Sequence, residues 1–240
     1  MPSLREQKKR ATARDLATAA YDLACDVGCA EVTTDEVTTR AGYSRRTFAN
    51  YYSCKQEAIV DGFLLRIGLR GRRTSEEAAE AAPPATFEAV IDQTQGVVTG
   101  LLTGPNVAEI RTFARMVHEH DALEPYVHAA VLSFKHGRHQ RALEEAFGPA
   151  RVSMFFGAVA GSLSVVVEFV LGPLAIPRRL PARTPADPDS PRPAPPAPLD
   201  PIPAAQLDEA LAMIGRAFDY VRHGFAARPD RPSVTTEQDH

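Results

Sequence analysis

The 240-residue chain has little cysteine, no overall basic charge and none of the short motifs that mark a catalytic centre. Each shortage excludes something. Three cysteines, Cys25, Cys29 and Cys54, are too few, and odd in number, for the disulfide framework of a small secreted protein; they point to a reducing, cytoplasmic setting. Cys25 and Cys29 lie four apart, but no His or carboxylate cluster stands near them to complete a zinc site. No metal and no cofactor are therefore expected. A net charge of −3 excludes a uniformly basic nucleic-acid coat. Without a Gly-rich phosphate loop, a nucleophile elbow or acids and bases at diagnostic spacing, catalysis is not expected. No apolar segment follows the N-terminal charges, so no signal peptide is expected. Long hydrophobic runs are scarce too. Residues 152–171, "VSMFFGAVAGSLSVVVEFVL", approach spanning length, but Glu168, three serines and the lack of a second such run favour a helix buried within protein over a membrane span.

The charge that is present is unevenly placed. Residues 1–56 hold 9 Lys/Arg and 7 Asp/Glu, whereas the remainder holds 18 and 23. Arg5, Lys8, Lys9, Arg10 and Arg14 face only Glu6 in the first fourteen residues. An N-terminal module that binds a polyanion, attached to an acidic body, fits this asymmetry.

Hydrophobic periodicity predicts an all-α protein. Leu16, Ala20, Leu23 and Val27 share a helix face, with Ser3 and Glu6 as a capping box before them and Gly28 as the stop. The same cap spacing recurs at Thr33–Glu36 and Ser53–Gln56, and Ser44 after Gly42 can cap a further short helix. Helices are expected next around Phe87–Leu102 and Val107–Val117, then from about Leu123 to Phe147 with a weak point at Gly137, and from about Pro149 to Leu171. Residues 173–203 contain twelve prolines and are expected to form an extended or disordered loop. A last helix from Ala204 carries Leu207, Leu211, Ile214, Phe218, Val221 and Phe225 at heptad-like spacing, and residues 229–240 read as a polar tail.

The stretch from Thr33 to Tyr52 has helix-turn-helix proportions, its second helix expected to run seven or eight residues. Val37, Ala41 and Phe48 suit its small core, with Tyr43 bridging the turn. Arg45, Arg46, Thr47 and Asn50 then lie on the outer face of the second helix. Arginine can bond both guanine acceptors and asparagine can do the same with adenine, so these four residues suit base edges. Tyr51, Lys55 and the positive end of the helix begun by Thr33 suit phosphate.

"VTTDEVTTRAGYSRRTFANYYSCKQEAI", together with the preceding "ATAAYDLACDVG" and the final apolar helices, resembles the DNA-binding signature of the tetracycline-repressor (TetR) family. The likeness covers about residues 12–60 and follows the order Gly28, Thr33, Val37, Ala41-Gly42, Ser44, Thr47-Phe48, Tyr51, Lys55; Thr38, Ala49 and Cys54 depart from the family pattern. It implies an N-terminal three-helix DNA-binding domain over residues 1–50 and a helical effector-binding and dimerisation domain over 51–228. It also implies that Thr33, Ser44, Arg45, Arg46, Thr47, Asn50, Tyr51 and Lys55 form the site, Ser44 as the cap and the others as DNA contacts, and that the last two helices pair with those of a second copy. The function implied is that of a homodimeric repressor on palindromic double-stranded operator DNA.

Aromatic and flexible side chains between residues 85 and 170, namely Phe87, Phe113, Met116, Tyr126, Phe134, Met154, Phe155 and Phe169, suit a pocket for a small apolar effector. "HEHD" at 118–121 invites a metal reading, but His118 and His120 are two apart and diverge on a helix. A different class of function would fit the same residues: a helical carrier or enzyme for apolar molecules that retains an unused N-terminal module.

Overall fold

The computed structural model describes residues 3–69, 84–103, 105–134, 138–171, 199–200 and 202–223. Its long elements are all helical: α1 (Leu4–Val27), α2 (Thr34–Ala41), α3 (Arg45–Ala49), α4 (Lys55–Arg66), α5 (Phe87–Leu101), α6 (Asn106–Glu119), α7 (Glu124–Phe134), α8 (Arg138–Phe147), α9 (Pro149–Leu171) and α10 (Ala204–His223). The capping box of α1 forms as its sequence dictates. Ser3 Oγ accepts the Glu6 amide at 3.3 Å, and the Glu6 carboxylate accepts the Ser3 amide at 2.8 Å. At the other end Gly28, with φ 86°, turns the chain away.

Two expectations change at element boundaries. The Ser53–Gln56 box is not made: Cys54 occupies the cap without a side-chain hydrogen bond, and the Ser53 amide and hydroxyl both donate to the Glu57 carboxylate, at 2.8 and 2.7 Å. The helix expected from Leu123 to Phe147 begins one residue later, after a 3-10 turn (Asp121–Leu123), and is described as α7 and α8, with 135–137 outside the described residues. Most of the proline-rich 173–203 segment and the 229–240 tail also lie outside them. Among the described residues no helix is long and apolar enough to cross a membrane.

Two apolar clusters hold the helices. The first gathers Leu16, Ala17, Ala20, Tyr21 and Ala24 of α1, Val37 of α2, Phe48 of α3, and Ala58, Ile59, Phe63 and Leu64 of α4, and it runs on to Phe113 and Met116 of α6. It thus crosses the position, residue 50, at which the chain was expected to divide. Phe63 stacks on Phe113 at 3.9 Å, so α4, together with Tyr21 of α1, carries the N-terminal helices onto the body. Thr38, where the signature usually has alanine, is buried with its hydroxyl donated to the Asp35 carbonyl at 3.0 Å, so its polar atom costs little there.

The second cluster joins α5, α8, α9 and α10 through Val90, Ile91, Leu143, Val152, Phe155, Val166, Ala210, Ile214 and Phe218. This accounts for much of the heptad-like seam of α10. Ile214 and Phe218 turn inward against the chain's own helices, and Leu207, Leu211 and Val221 pack partly against the same cluster, so these residues do not require a second copy to cover them. Phe225 lies outside the described residues. Arg222, at the last turn of α10, clamps this packing by donating to Glu88 at 2.7 Å and Gln95 at 3.0 Å on α5, and by pairing with Asp92.

α1 and α4 cross closely at Gly62. A Cβ on Gly62 would lie against the Ala17 carbonyl oxygen and 2.6 Å from the Tyr21 Cβ. Backbone cannot yield as a flexible side chain can, so Gly62→Ala is expected to lower stability by about 1–3 kcal/mol despite alanine's better helix propensity. Gly100→Ala, where a Cβ meets nothing within 4 Å, is expected to be neutral or to raise stability by up to about 1 kcal/mol. Thermal unfolding of the two variants checks the contrast; equal melting shifts would refute the close crossing.

Candidate nucleic-acid interface

The interface is assembled from caps. Thr33 Oγ1 accepts the Glu36 amide at 3.3 Å and the Glu36 carboxylate accepts the Thr33 amide at 2.9 Å, which starts α2. Gly42, at φ 75° and ψ 30°, adopts the left-handed conformation that ends it, and the Tyr43 amide closes the turn on the Thr38 carbonyl at 2.9 Å. Ser44 Oγ then accepts the Thr47 amide at 3.1 Å and starts α3. The α2–turn–α3 unit is fixed to α1 at two further points. Tyr43 donates its hydroxyl to Asp15 at 2.9 Å, and Arg40 pairs with Asp26 at 2.7 Å.

α3 is shorter than expected. It ends at Ala49, so Asn50 becomes its C-cap and Tyr51 follows in the turn. Asn50 is nonetheless exposed beside Arg45 and Arg46, with Thr47 half-buried on the same short element. Of the two adjacent tyrosines, Tyr52 packs: its ring lies 5.7 Å from that of Phe48, and its hydroxyl sits 2.7 Å from the Asp61 carboxylate and 2.9 Å from the Ala13 carbonyl. Tyr51 is half-buried against the first cluster.

The cations of this surface differ in their engagement. Arg45 is paired through Nε and Nη2 with the two carboxylate oxygens of Asp35, in the first turn of α2. That bond holds the Asp35 carboxyl below the usual carboxylate range and raises the Arg45 guanidinium further. Both groups are largely in solvent, so the pair adds little to stability. Lys55 donates to the Ala30 carbonyl at 2.9 Å and the Val32 carbonyl at 2.6 Å, bracing the α1–α2 connection. Arg46 is exposed and has no hydrogen-bond or ion-pair partner among the described residues. At the start of α2 the positive helix end is already faced by Asp35 and Glu36. The sequence reading missed Asp35: an acid in a first turn looks like dipole complement, and nothing in the spacing announces a partner ten residues on.

The residues expected around an effector do not converge. Phe113 and Met116 lie in the first cluster. Phe155 lies in the second, with the Phe87 ring 5.4 Å away edge-on and the Arg151 guanidinium over the Phe87 ring at 4.2 Å. The Phe134 and Phe169 side chains are outside the described set. Tyr126 lines a half-open cleft of about 350 Å³ between α4 and α7, whose lining combines apolar Val60, Leu64, Ala129 and Ala130 with polar Tyr52, Ser53, Glu57 and Asp61. Glu57 and Asp61, one turn apart on α4, bring acidic groups to the cleft that the sequence pattern did not single out.

Replacing Lys55 removes a charged donor from two carbonyls, so Lys55→Met is expected to lower unfolding stability by about 1–3 kcal/mol. Arg46→Ala should leave stability within about 0.5 kcal/mol of the parent. Denaturant titration of both checks this; an unchanged midpoint for Lys55→Met would mean that its two carbonyl bonds carry nothing. A scan of the chain against protein-family models and a search of the curated proteins found no match.

Proposed function

We propose that this chain is a transcriptional repressor that binds a palindromic operator as a homodimer through α2 and α3 and is released by a small effector. The observation that carries the reading is the doubly capped α2–Gly42–α3 unit, set on α1 and α4, with Arg45, Arg46, Thr47 and Asn50 gathered at its outer edge. A short element presented in this way fits the major groove, where arginine and asparagine each meet paired acceptor and donor atoms. The likeness of residues 12–60 to the tetracycline-repressor signature supports the same reading. Arg46→Ala is expected to weaken operator binding by about 1–3 kcal/mol and to relax the preference at one position per half-site. Titration against a panel of single-base operator variants measures both, and a variant that binds like the parent would remove α3 from the interface.

Two half-sites call for two heads related by a two-fold axis. On α9, Met154, Gly157, Gly161 and Val165 are exposed and lie along one helix face, with open space around both glycines. Met154 is 76% exposed, and Tyr220 on the adjoining α10 is 55% exposed. This stripe, rather than the inward-turned seam of α10, is the face a second copy would cover. Val165→Glu is expected to give monomers that keep their fold but lose operator affinity. Sedimentation at micromolar concentration checks it: a parent that is already monomeric, or a variant that remains dimeric, would rule out the α9 face.

The effector would enter the cleft between α4 and α7. Its walls narrow the class to a largely apolar molecule with a cationic or hydrogen-bond-donating end, able to meet Glu57 or Asp61. Asp61 already accepts from Tyr52, whose ring rests on Phe48 of α3. An occupant that draws Asp61 away would therefore shift the support of the recognition element. A coupling of about 1–3 kcal/mol lowers occupancy at least severalfold.

A further inference from the structure

We infer that Asp35 is a specificity-determining residue of this interface: its carboxylate occupies the Arg45 guanidinium until a two-oxygen or paired acceptor on DNA displaces it. The inference rests on the reading of α2 and α3 as the DNA-binding element. Its basis is the geometry of the pair. Nε and Nη2 of Arg45 address Oδ1 and Oδ2 of Asp35 side-on, so the Nε–Nη2 edge, one of the two edges of the guanidinium that offer paired donors to a base or a phosphate, is already taken.

Two properties make the contact a filter rather than a brace. Arg45 and Asp35 side chains are 72% and 56% exposed, so water and salt already compete for the pair and exchange is cheap. The competitor must nevertheless match the same fork. Guanine N7 and O6, or two oxygens of one phosphate held at the right place, can do so. Sequence-independent binding comes from neutralised phosphates. With Arg45 paired to Asp35, one such contact is withheld. On an operator that does engage it, the arginine is recovered. Asp35 should therefore reduce affinity for arbitrary DNA more than affinity for the operator. Arg46, one residue on and without a partner among the described residues, supplies attraction that is not conditional in this way.

The experiment compares Asp35→Asn with the parent, in the native background and in an Arg45→Met background. Full-length protein is titrated by fluorescence anisotropy against a duplex selected from a random library and against a scrambled duplex of equal length, over a range of salt. In the native background the substitution should raise affinity for the scrambled duplex roughly threefold to tenfold, steepen its log–log salt slope by about 0.9, and shrink the ratio of selected to scrambled affinity. With Arg45 replaced, Asp35→Asn should leave the slope unchanged. An equal gain on both duplexes, the same gain without Arg45, or no gain at all overturns the inference while leaving the DNA-binding reading intact. A parent that binds neither duplex at low salt defeats both. Should Asp35→Asn melt below the assay temperature, Asp35→Ser, which a helix's first turn tolerates, replaces it in the same comparison.

Discussion

The structure turns on the contact of α1 with α4 at Gly62. Because no side chain stands there, the two backbones meet, with the Ala17 carbonyl and the Tyr21 Cβ against the glycine. Everything N-terminal hangs from that contact. α1 supplies Asp15 and Asp26 to fix Tyr43 and Arg40, while α4 supplies Asp61 to Tyr52 and Lys55 to the loop between α1 and α2. The body is joined through the same place. Tyr21 is buried among Phe63 and Phe113 and donates its hydroxyl to Glu109 of α6 at 2.9 Å. Burial, reinforced by Cys25 and Glu109, pushes the Tyr21 phenol upward, so it remains a donor throughout the physiological range. Burial also raises the Cys25 and Cys29 thiols, keeping them as small core groups rather than reactive thiolates.

Such a frame gives the candidate interface its character. The α2–α3 unit has few apolar residues of its own, chiefly Val37 and Phe48, and could not hold its geometry alone. It borrows rigidity from ion pairs and tyrosine hydroxyls anchored on longer helices. The cost is that several charged groups are spent on position. Arg40 and Lys55 brace the unit, Arg45 is engaged with Asp35, and Arg46 projects without such a tie. Charge counted along the sequence therefore overstates the cation available to a polyanion, and the N-terminal excess is better described as a mixture of structural and presented charge.

Much of this was legible in the residues. Ser3 with Glu6 and Thr33 with Glu36 announce helix starts because their reciprocal bonds are local, and Gly28 and Gly42 announce stops because few other residues take their positive φ. The core faces of Leu16–Ala20 and Val37–Phe48 followed from spacing alone. What failed to show was nonlocal. Lys55 finds carbonyls more than twenty residues away, and the aromatic residues gathered as one pocket divide between two clusters. The seam of α10 had the period of an intermolecular contact, yet periodicity states that a face is buried and not what buries it; Ile214 and Phe218 meet the chain's own core.

The central claim is that the capped α2–α3 unit reads DNA sequence in two symmetric copies. Selection of duplexes from a random library by the purified chain at physiological salt, followed by sequencing, tests it most directly. The account predicts enrichment of two inverted half-sites whose centres lie about one helical turn, or a multiple of it, apart. Recovery of a library indistinguishable from the input would contradict it.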